Sequence, residues 1–356
     1  MRTSRPMPVL APILRRVERL QARLSLVLDG LRDRPGIWMG LLGGGLLVAG
    51  GLSLTQGAVH VPLDQLGAAL VAPEHPFHRI VRDIRLPRIV AAGLVGAALA
   101  VAGALLQTVV RNPLADSGLL GVNAGAGVVM LAGIVLWPQA SLTLPLLAFL
   151  GGLAAVGVVL LASQGGGRGS GPLRILLSGV AVQAILFALV ALLTFVFADR
   201  TPAFIAFTVG SLNGCGWQEV RRVLAPVFAG LVASGFAVRS LDLLLLDDDS
   251  AAGVGLAVGR ARIAASCLAA LLAAGAVSVA GLVGFVGLLV PNLARFGTRP
   301  THRTLLPLAA LGGAGLLIVA DLAARTLLAP VELPVGAFLA FLGGPYFLYL
   351  LWRRLP

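Results

Sequence analysis

The residue types that carry most protein chemistry are scarce in this sequence. All 27 basic residues are arginine, and lysine is absent. That removes the phosphate-binding loop G-x-x-x-x-G-K-[ST], whose lysine contacts the phosphates, and it removes lysine Schiff-base chemistry. If ATP drives this protein, another chain hydrolyses it. The four histidines, His60, His75, His78 and His302, fall outside the long apolar runs, and no H-E-x-x-H occurs. An intramembrane enzyme therefore has no catalytic set to use. Cys215 and Cys267 read as small packing residues, so neither a disulfide nor a metal site is expected. Asp321 and Arg325 stand four apart and can pair on one helix face. An acid within an apolar segment raises proton coupling, but a relay wants several acidic or histidine residues along a path. The acidic run Asp247-Asp248-Asp249 precedes Ser250, Ala251, Ala252, Gly253, Val254 and Gly255. Acids ahead of small helix formers suit the N-terminus of a short helix, which Gly253 and Gly255 would end.

The elements that must position these groups are apolar. Hydrophobic residues make up 58% of the 356 residues and charged residues 12%, against about 25% charged in a soluble domain. Mean hydropathy is +0.96. The runs 89–110, 117–167, 175–198, 263–294 and 333–352 contain no charged residue. A membrane span takes ~20 apolar residues, so several runs cross once and the longer ones twice. A polytopic membrane protein follows. A secreted enzyme, a disordered tail and a disulfide scaffold are excluded. The 46 glycines agree, because small residues let transmembrane helices approach closely.

Divided at turn signals, the runs give ten spans, near 37–56, 89–107, 118–136, 143–162, 175–197, 223–240, 262–278, 283–295, 304–328 and 334–352. The run 263–294 must hold two of them, so one is short or partly re-entrant. Ten spans put both termini on one side. With the termini inside, the inner segments carry more than twice the arginines of the outer ones, as the positive-inside rule requires. Much of that bias lies in residues 1–34, where Arg15, Arg16, Arg19 and Arg23 interleave with Val17, Leu20, Leu24 and Val27. This stretch is either a basic amphipathic helix on an anionic membrane face or an orientation-setting tail. The chain thus divides into an arginine-rich cytoplasmic segment, 1–36, and a transmembrane domain, 37–356. The outer loops are basic too. Arg79, Arg82, Arg85 and Arg88 precede the second span, and Arg325 sits near the outer end of the ninth. They are either snorkelling arginines at helix ends or a docking surface for an acidic partner. One internal echo, Arg88-Ile89-Val90-Ala91-Ala92 against Arg262-Ile263-Ala264-Ala265, is what inverted halves would leave.

The first inner loop is a structural corner on physical grounds. Pro113 ends a helix, Asn112 and Asp116 bond freed backbone groups, and a glycine run lets the next span pack tightly. As a string it is more specific. Arg85-Leu86-Pro87-Arg88, Gly103-Ala104-Leu105-Leu106-Gln107 and Arg111-Asn112-Pro113-Leu114-Ala115-Asp116 follow one another, and Gly118-Leu119-Leu120-Gly121-Val122-Asn123 comes next. Later come Gly210 to Trp217, then Gly284-Phe285-Val286-Gly287-Leu288-Leu289-Val290-Pro291-Asn292 running to Arg295. His302-Arg303, Ala320-Asp321, Ala324-Arg325, Glu332 to Gly336 and Gly343 to Phe347 complete the series. This ordered set resembles the permease family of ABC importers for iron-siderophores, haem and vitamin B12, the FecCD type, through most of 85–356. Asn292 stands where that family usually has histidine, and the N-terminus is longer.

The resemblance implies an all-α polytopic membrane protein of about ten transmembrane helices, with type II ABC importer permease architecture. It implies a permease homodimer in the bacterial inner membrane, multi-pass with both termini cytoplasmic. The partners would be two cytoplasmic ATPase subunits, a periplasmic substrate-binding protein and membrane lipid, with no cofactor and no nucleic acid. The cargo would be an iron-siderophore or related iron chelate, with haem or a corrinoid as alternatives. Ser250, Ala251, Ala252, Gly253, Val254 and Gly255 would form the coupling helix that fits a cleft on the ATPase. Ser170, Gly171 and Pro172, in the glycine-rich loop 164–172, would gate the inner mouth. The basic charge of the outer loops, rather than the resemblance, makes Arg85, Arg88 and Arg325 the expected docking residues for the binding protein. A self-contained secondary transporter is the rival from another class. It needs ion-coordinating acids or broken helices near the midplane, and buried acids are few.

Overall fold

The computed structural model describes residues 34–57, 59–137, 143–164, 171–200, 202–297, 301–329 and 331–354. The expected amphipathic segment around Arg15–Val27 and the gate residue Ser170 lie outside them. In chain order the helices are α1 (Pro35–Thr55), α2 (Leu63–Val71), α3 (Leu86–Val110), α4 (Val122–Leu136), α5 (Leu144–Ser163), α6 (Pro172–Val196) and α7 (Pro202–Val209). They continue with α8 (Trp217–Phe236), α9 (Val238–Leu243), α10 (Asp248–Gly253), α11 (Val258–Ala280), α12 (Val286–Gly297), α13 (His302–Thr326) and α14 (Val335–Arg354). No strand occurs among the described residues.

The ten expected spans fall on α1, α3, α4, α5, α6, α8, α11, α12, α13 and α14. Six of these are long and apolar enough to cross a membrane: α1, α3 with its preceding turns, α5, α6, α11 and α13; α4 and α14 are shorter apolar helices. Helix α8 begins at Trp217 rather than near 223, because Glu219 accepts from the Gly216 N–H at 3.0 Å and caps a polar first turn. The apolar run 263–294 breaks after Ala280, as its length demanded. Helix α12 then has 12 residues, about 18 Å at 1.5 Å per residue, too short to span a ~30 Å hydrocarbon core. The break is held by backbone bonds to two other segments. Ser211 N–H donates to Ala280 at 2.9 Å, Leu282 N–H to Phe207 at 2.9 Å, and Gly336 N–H to Gly210 at 3.0 Å. Gly210 has φ +73° and lies so close to the Leu282 carbonyl that a Cβ would clash, so only glycine makes this junction.

Helix α3 is the axis of the bundle, buried nearly throughout and packed against α8, α11, α12 and α13. Its buried face is alanine and glycine because lipid supplies no hydrophobic drive between helices, and close van der Waals contact must hold them. A Cβ on Gly96 would collide with the Gly313 carbonyl of α13, and one on Gly103 with the Gly287 carbonyl of α12. The large side chains point outward instead, as Leu173, Leu177, Ile185, Leu192 and Phe195 do on α6. Gly96→Ala should therefore reach or exceed the ~1–3 kcal/mol typical of overpacking, because a backbone carbonyl cannot swing aside. Gly157→Ala, with open space at its Cβ, should be neutral or slightly stabilising. Thermal unfolding of both variants in detergent distinguishes them, and equal melting temperatures would refute the close-contact account.

Candidate functional site

Polar groups gather at the two ends of α3. At its N-terminal end a 7-residue π-helical stretch, Arg79–Arg85, leads into the helix, and three arginines turn inward. Arg88 Nη2 donates to Asp321 Oδ1 at 2.8 Å, its Nε reaches both Asp321 oxygens at 3.0 and 3.1 Å, and its Nη1 meets Glu332 at 2.9 Å. Arg325 donates to the carbonyl of Ser53 at 2.7 Å and to its hydroxyl. Arg85 donates to the carbonyls of Leu54, at 2.6 Å, and Val59. Two of these acceptors, Ser53 and Leu54, lie in the last turn of α1, whose carbonyls have no intrahelical partner and carry the negative end of its dipole. Arginine is the side chain that fits them. The cluster thus staples α1, α3 and α13.

This corrects the docking expectation. Arg85, Arg88 and Arg325 are only 5, 7 and 6% exposed, since each guanidinium satisfies carbonyls or carboxylates within the chain. None offers a surface. The expected Asp321–Arg325 pair is present but loose, at 3.7 Å, because Arg88 occupies the carboxylate. Arg79 and Arg82 are the exposed arginines of this stretch.

At the C-terminal end of α3, Arg111 closes the helix in the left-handed region, φ 53°, an uncommon conformation for a side-chain-bearing residue. The turn aims its guanidinium at α10. Nε donates to the Leu244 carbonyl at 3.0 Å and Nη2 to Asp248 at 2.6 Å. Arg262, at the start of α11, donates to the same carboxylate at 2.9 Å. The two arginines of the internal echo, Arg88 and Arg262, thus each pair with an acid at opposite ends of the bundle. Helix α10 is as expected from its residues. Asp247 caps it by accepting from Ser250 N–H at 2.9 Å. It ends in a Schellman turn, with Leu256 N–H on Ala251 at 3.1 Å, Gly255 N–H on Ala252 at 2.9 Å and Gly255 at φ +88°. Ala251 is buried against the chain, while Ser250, Ala252, Gly253, Val254 and Gly255 are exposed.

Arg262, then Arg111, holds the Asp248 carboxyl below the usual carboxylate range. A depressed pKa contributes stability that is fully present above the unfolded value, about 3.9, and is lost as pH falls through the lower folded value. Hydrogen-exchange protection of residues 248–256, corrected for the intrinsic rate, should stay level from about pH 7 to 5 and fall well below 4. Asp248→Asn should show the low protection at every pH. The carboxyl is half exposed, so added salt should weaken the effect.

At this same C-terminal end of α3, two of the motifs meet. Gln107 Nε2 donates to the carbonyls of Ala115 at 3.3 Å and Gly287 at 3.2 Å, and its Oε1 accepts from Arg295. Asn292 Nδ2 donates to Pro113 at 2.8 Å. The Asp116 carboxylate accepts from the N–H groups of Ser117 and Phe285. The first inner loop and the short α12 are therefore one unit. Asn292 supplies a donor from the position where histidine was expected. His302, buried at the start of α13, links α9 to α3: its Nδ1 lies 2.6 Å from Asp242 and its Nε2 2.7 Å from the Thr108 hydroxyl. Sequence reasoning had no role for Gln107, Asp242 or Thr108. An amide in an apolar run was the signal for Gln107. Of the expected gate, Gly171 and Pro172 form the N-cap and first residue of α6.

Helices that press glycine and alanine together and turn leucine and phenylalanine outward place the molecule in a bilayer, and its class is that of a multi-pass membrane permease. Comparison with known proteins gives the family. A model of the FecCD transport family matches residues 45–353, and the chain belongs to that family. It is 41% identical to the hemin transport system permease protein of Yersinia pestis, over 76% of this chain and 83% of that one. It is 38% identical to an Fe(3+)-citrate import system permease protein of Bacillus subtilis, over 90% of this chain and 96% of that one. A solved inward-facing structure of a metal-chelate type ABC transporter covers 90% of this chain and 100% of its own, with a TM-score of 0.79 and 27% identity.

Proposed function

We propose that this chain is the membrane-crossing subunit of an ATP-driven bacterial importer for an iron chelate. The observation that carries the reading is α10, pinned to the bundle through Asp248 yet presenting small residues to solvent. A surface of that kind lets a partner's cleft close on it. The partner hydrolyses ATP, since this chain has no lysine for a phosphate-binding loop. Two copies around a two-fold axis would form the passage, with an ATPase under each copy and a periplasmic binding protein above. The α10 end and both termini are cytoplasmic in this reading. Exposed Arg79 and Arg82 then face the periplasm and steer an acidic binding protein, on a platform made rigid by Arg85, Arg88 and Arg325. Closure of the ATPases biases the permease pair between two packings that open to opposite sides. The loop carrying Ser170, Gly171 and Pro172 acts as the inner gate.

The relatives named for hemin and ferric citrate support an iron-bearing cargo. Uptake of labelled iron chelates, haem and cobalamin in a deletion strain tests this. Loss of iron-chelate uptake alone, restored by the gene, is expected; loss of cobalamin uptake alone would overturn the cargo. The purified chain should hydrolyse no ATP by itself, and robust hydrolysis would overturn the division of labour.

A further inference from the structure

An apolar groove of about 280 Å³ opens beside the C-terminal half of α3. One wall is Leu231, Gly235 and Val238, spaced four and three apart from α8 into α9; the other is Arg303, Leu306 and Ala310 on α13. The α13 wall runs seven residues, about 10 Å at 1.5 Å per residue. The groove is open because Gly235 has nothing within 4 Å of where a Cβ would stand. Pro307 also lines it. Lacking an N–H, Pro307 leaves the Arg303 carbonyl without its helical partner.

The charge sits at one end only. Arg303 is exposed and makes no ion pair or hydrogen bond among the described residues. Arg239, the residue after Val238, is likewise exposed and unpaired. Asp242 is already engaged: it accepts from the His302 backbone N–H at 2.8 Å and faces the ring at 2.6 Å. An apolar groove lined by one free arginine, Arg303, with a second, Arg239, next in sequence to its wall residue Val238, matches one amphiphile, an acyl chain carrying an anionic head. We infer that this groove holds one anionic phospholipid, its phosphate on Arg303 and Arg239 and part of an acyl chain between α8 and α13. A basic mouth between transmembrane helices is how anionic headgroups are selected over the surrounding lipid, and the bound chain would brace α13 against α8.

Native mass spectrometry of the purified full chain tests this, in mixed micelles with equal phosphatidylglycerol and phosphatidylcholine. The assay has no sidedness and needs no cargo or ATPase, so its failure is separate from failure of the proposed transport function. The unaltered chain should retain one phosphatidylglycerol. Arg239→Gln with Arg303→Gln should lower the preference over phosphatidylcholine about tenfold. Gly235→Phe keeps both arginines and should lose retention of both lipids by filling the slot. Undiminished phosphatidylglycerol in either variant, or equal retention of the two lipids by the unaltered chain, would overturn the site. So would displacement of the lipid by millimolar inorganic phosphate, which would make the arginines a simple anion site.

Discussion

Gly253→Arg should abolish transport and leave the protein inserted and folded. Gly253 is exposed on α10, and nothing lies within 4 Å of the position its Cβ would take. An arginine there costs the isolated chain nothing in contacts, and as a helix former it improves on glycine. The damage appears only when a partner closes on the small-residue face, because a bulky charge would be desolvated in a cleft shaped for glycine and alanine. Uptake should fall at least tenfold, the consequence of about 1.4 kcal/mol lost at that contact. Melting temperature and monodispersity in detergent should match the unaltered chain. Ala252→Arg should behave alike. Ala251→Arg should fail to fold, since Ala251 is fully buried. Normal uptake by Gly253→Arg would reduce the segment to an ordinary loop.

Asp321→Ala should cost about 3–5 kcal/mol, the usual penalty for leaving buried charge without its partner. Asp321 is 1% exposed and takes both Arg88 Nε and Nη2. Removing it leaves Arg88 with Glu332 alone and Arg325 with only Ser53. Glu332→Gln should cost less than about 1 kcal/mol, because that carboxylate is over a third exposed and water screens the pair. Pairing Asp321→Asn with Arg88→Gln should recover part of the loss, as expected for two residues in contact. Thermal unfolding of the four proteins is the measurement. If Asp321→Ala melts with Glu332→Gln, the cluster is not the staple described above. Charge reversal at Arg85 or Arg325 would disturb this same staple, so it cannot report on docking alone.

The apolar helices were legible because uncharged runs of bilayer length leave little choice. The turn signal at Trp137-Pro138 divided one long run, and length alone required the break in 263–294, whose second piece, α12, is too short to span. The outline of α10 was legible for the same local reason: an acidic N-cap, three small residues and a glycine in the left-handed region need no tertiary contact to be read. The arginines were not. Nothing along the chain tells a snorkelling arginine from a docking one or from one that caps another helix. Arg85, Arg88 and Arg325 found the α1 carbonyls and Asp321, between 31 and 272 positions away in sequence where they cross elements.

Composition by itself determined that the chain lives in a membrane, that it cannot bind ATP through a lysine loop, and that glycine would set its helix contacts. Local pattern determined the caps and breaks, because those bonds close within a few residues. Only the tertiary structure decided which glycine meets which, that Gln107 and Asn292 bind two distant motifs into one unit, and which charges face inward. The reason is physical. An arginine or an amide in an apolar chain must find a partner, and which partner is within reach depends on how the helices cross.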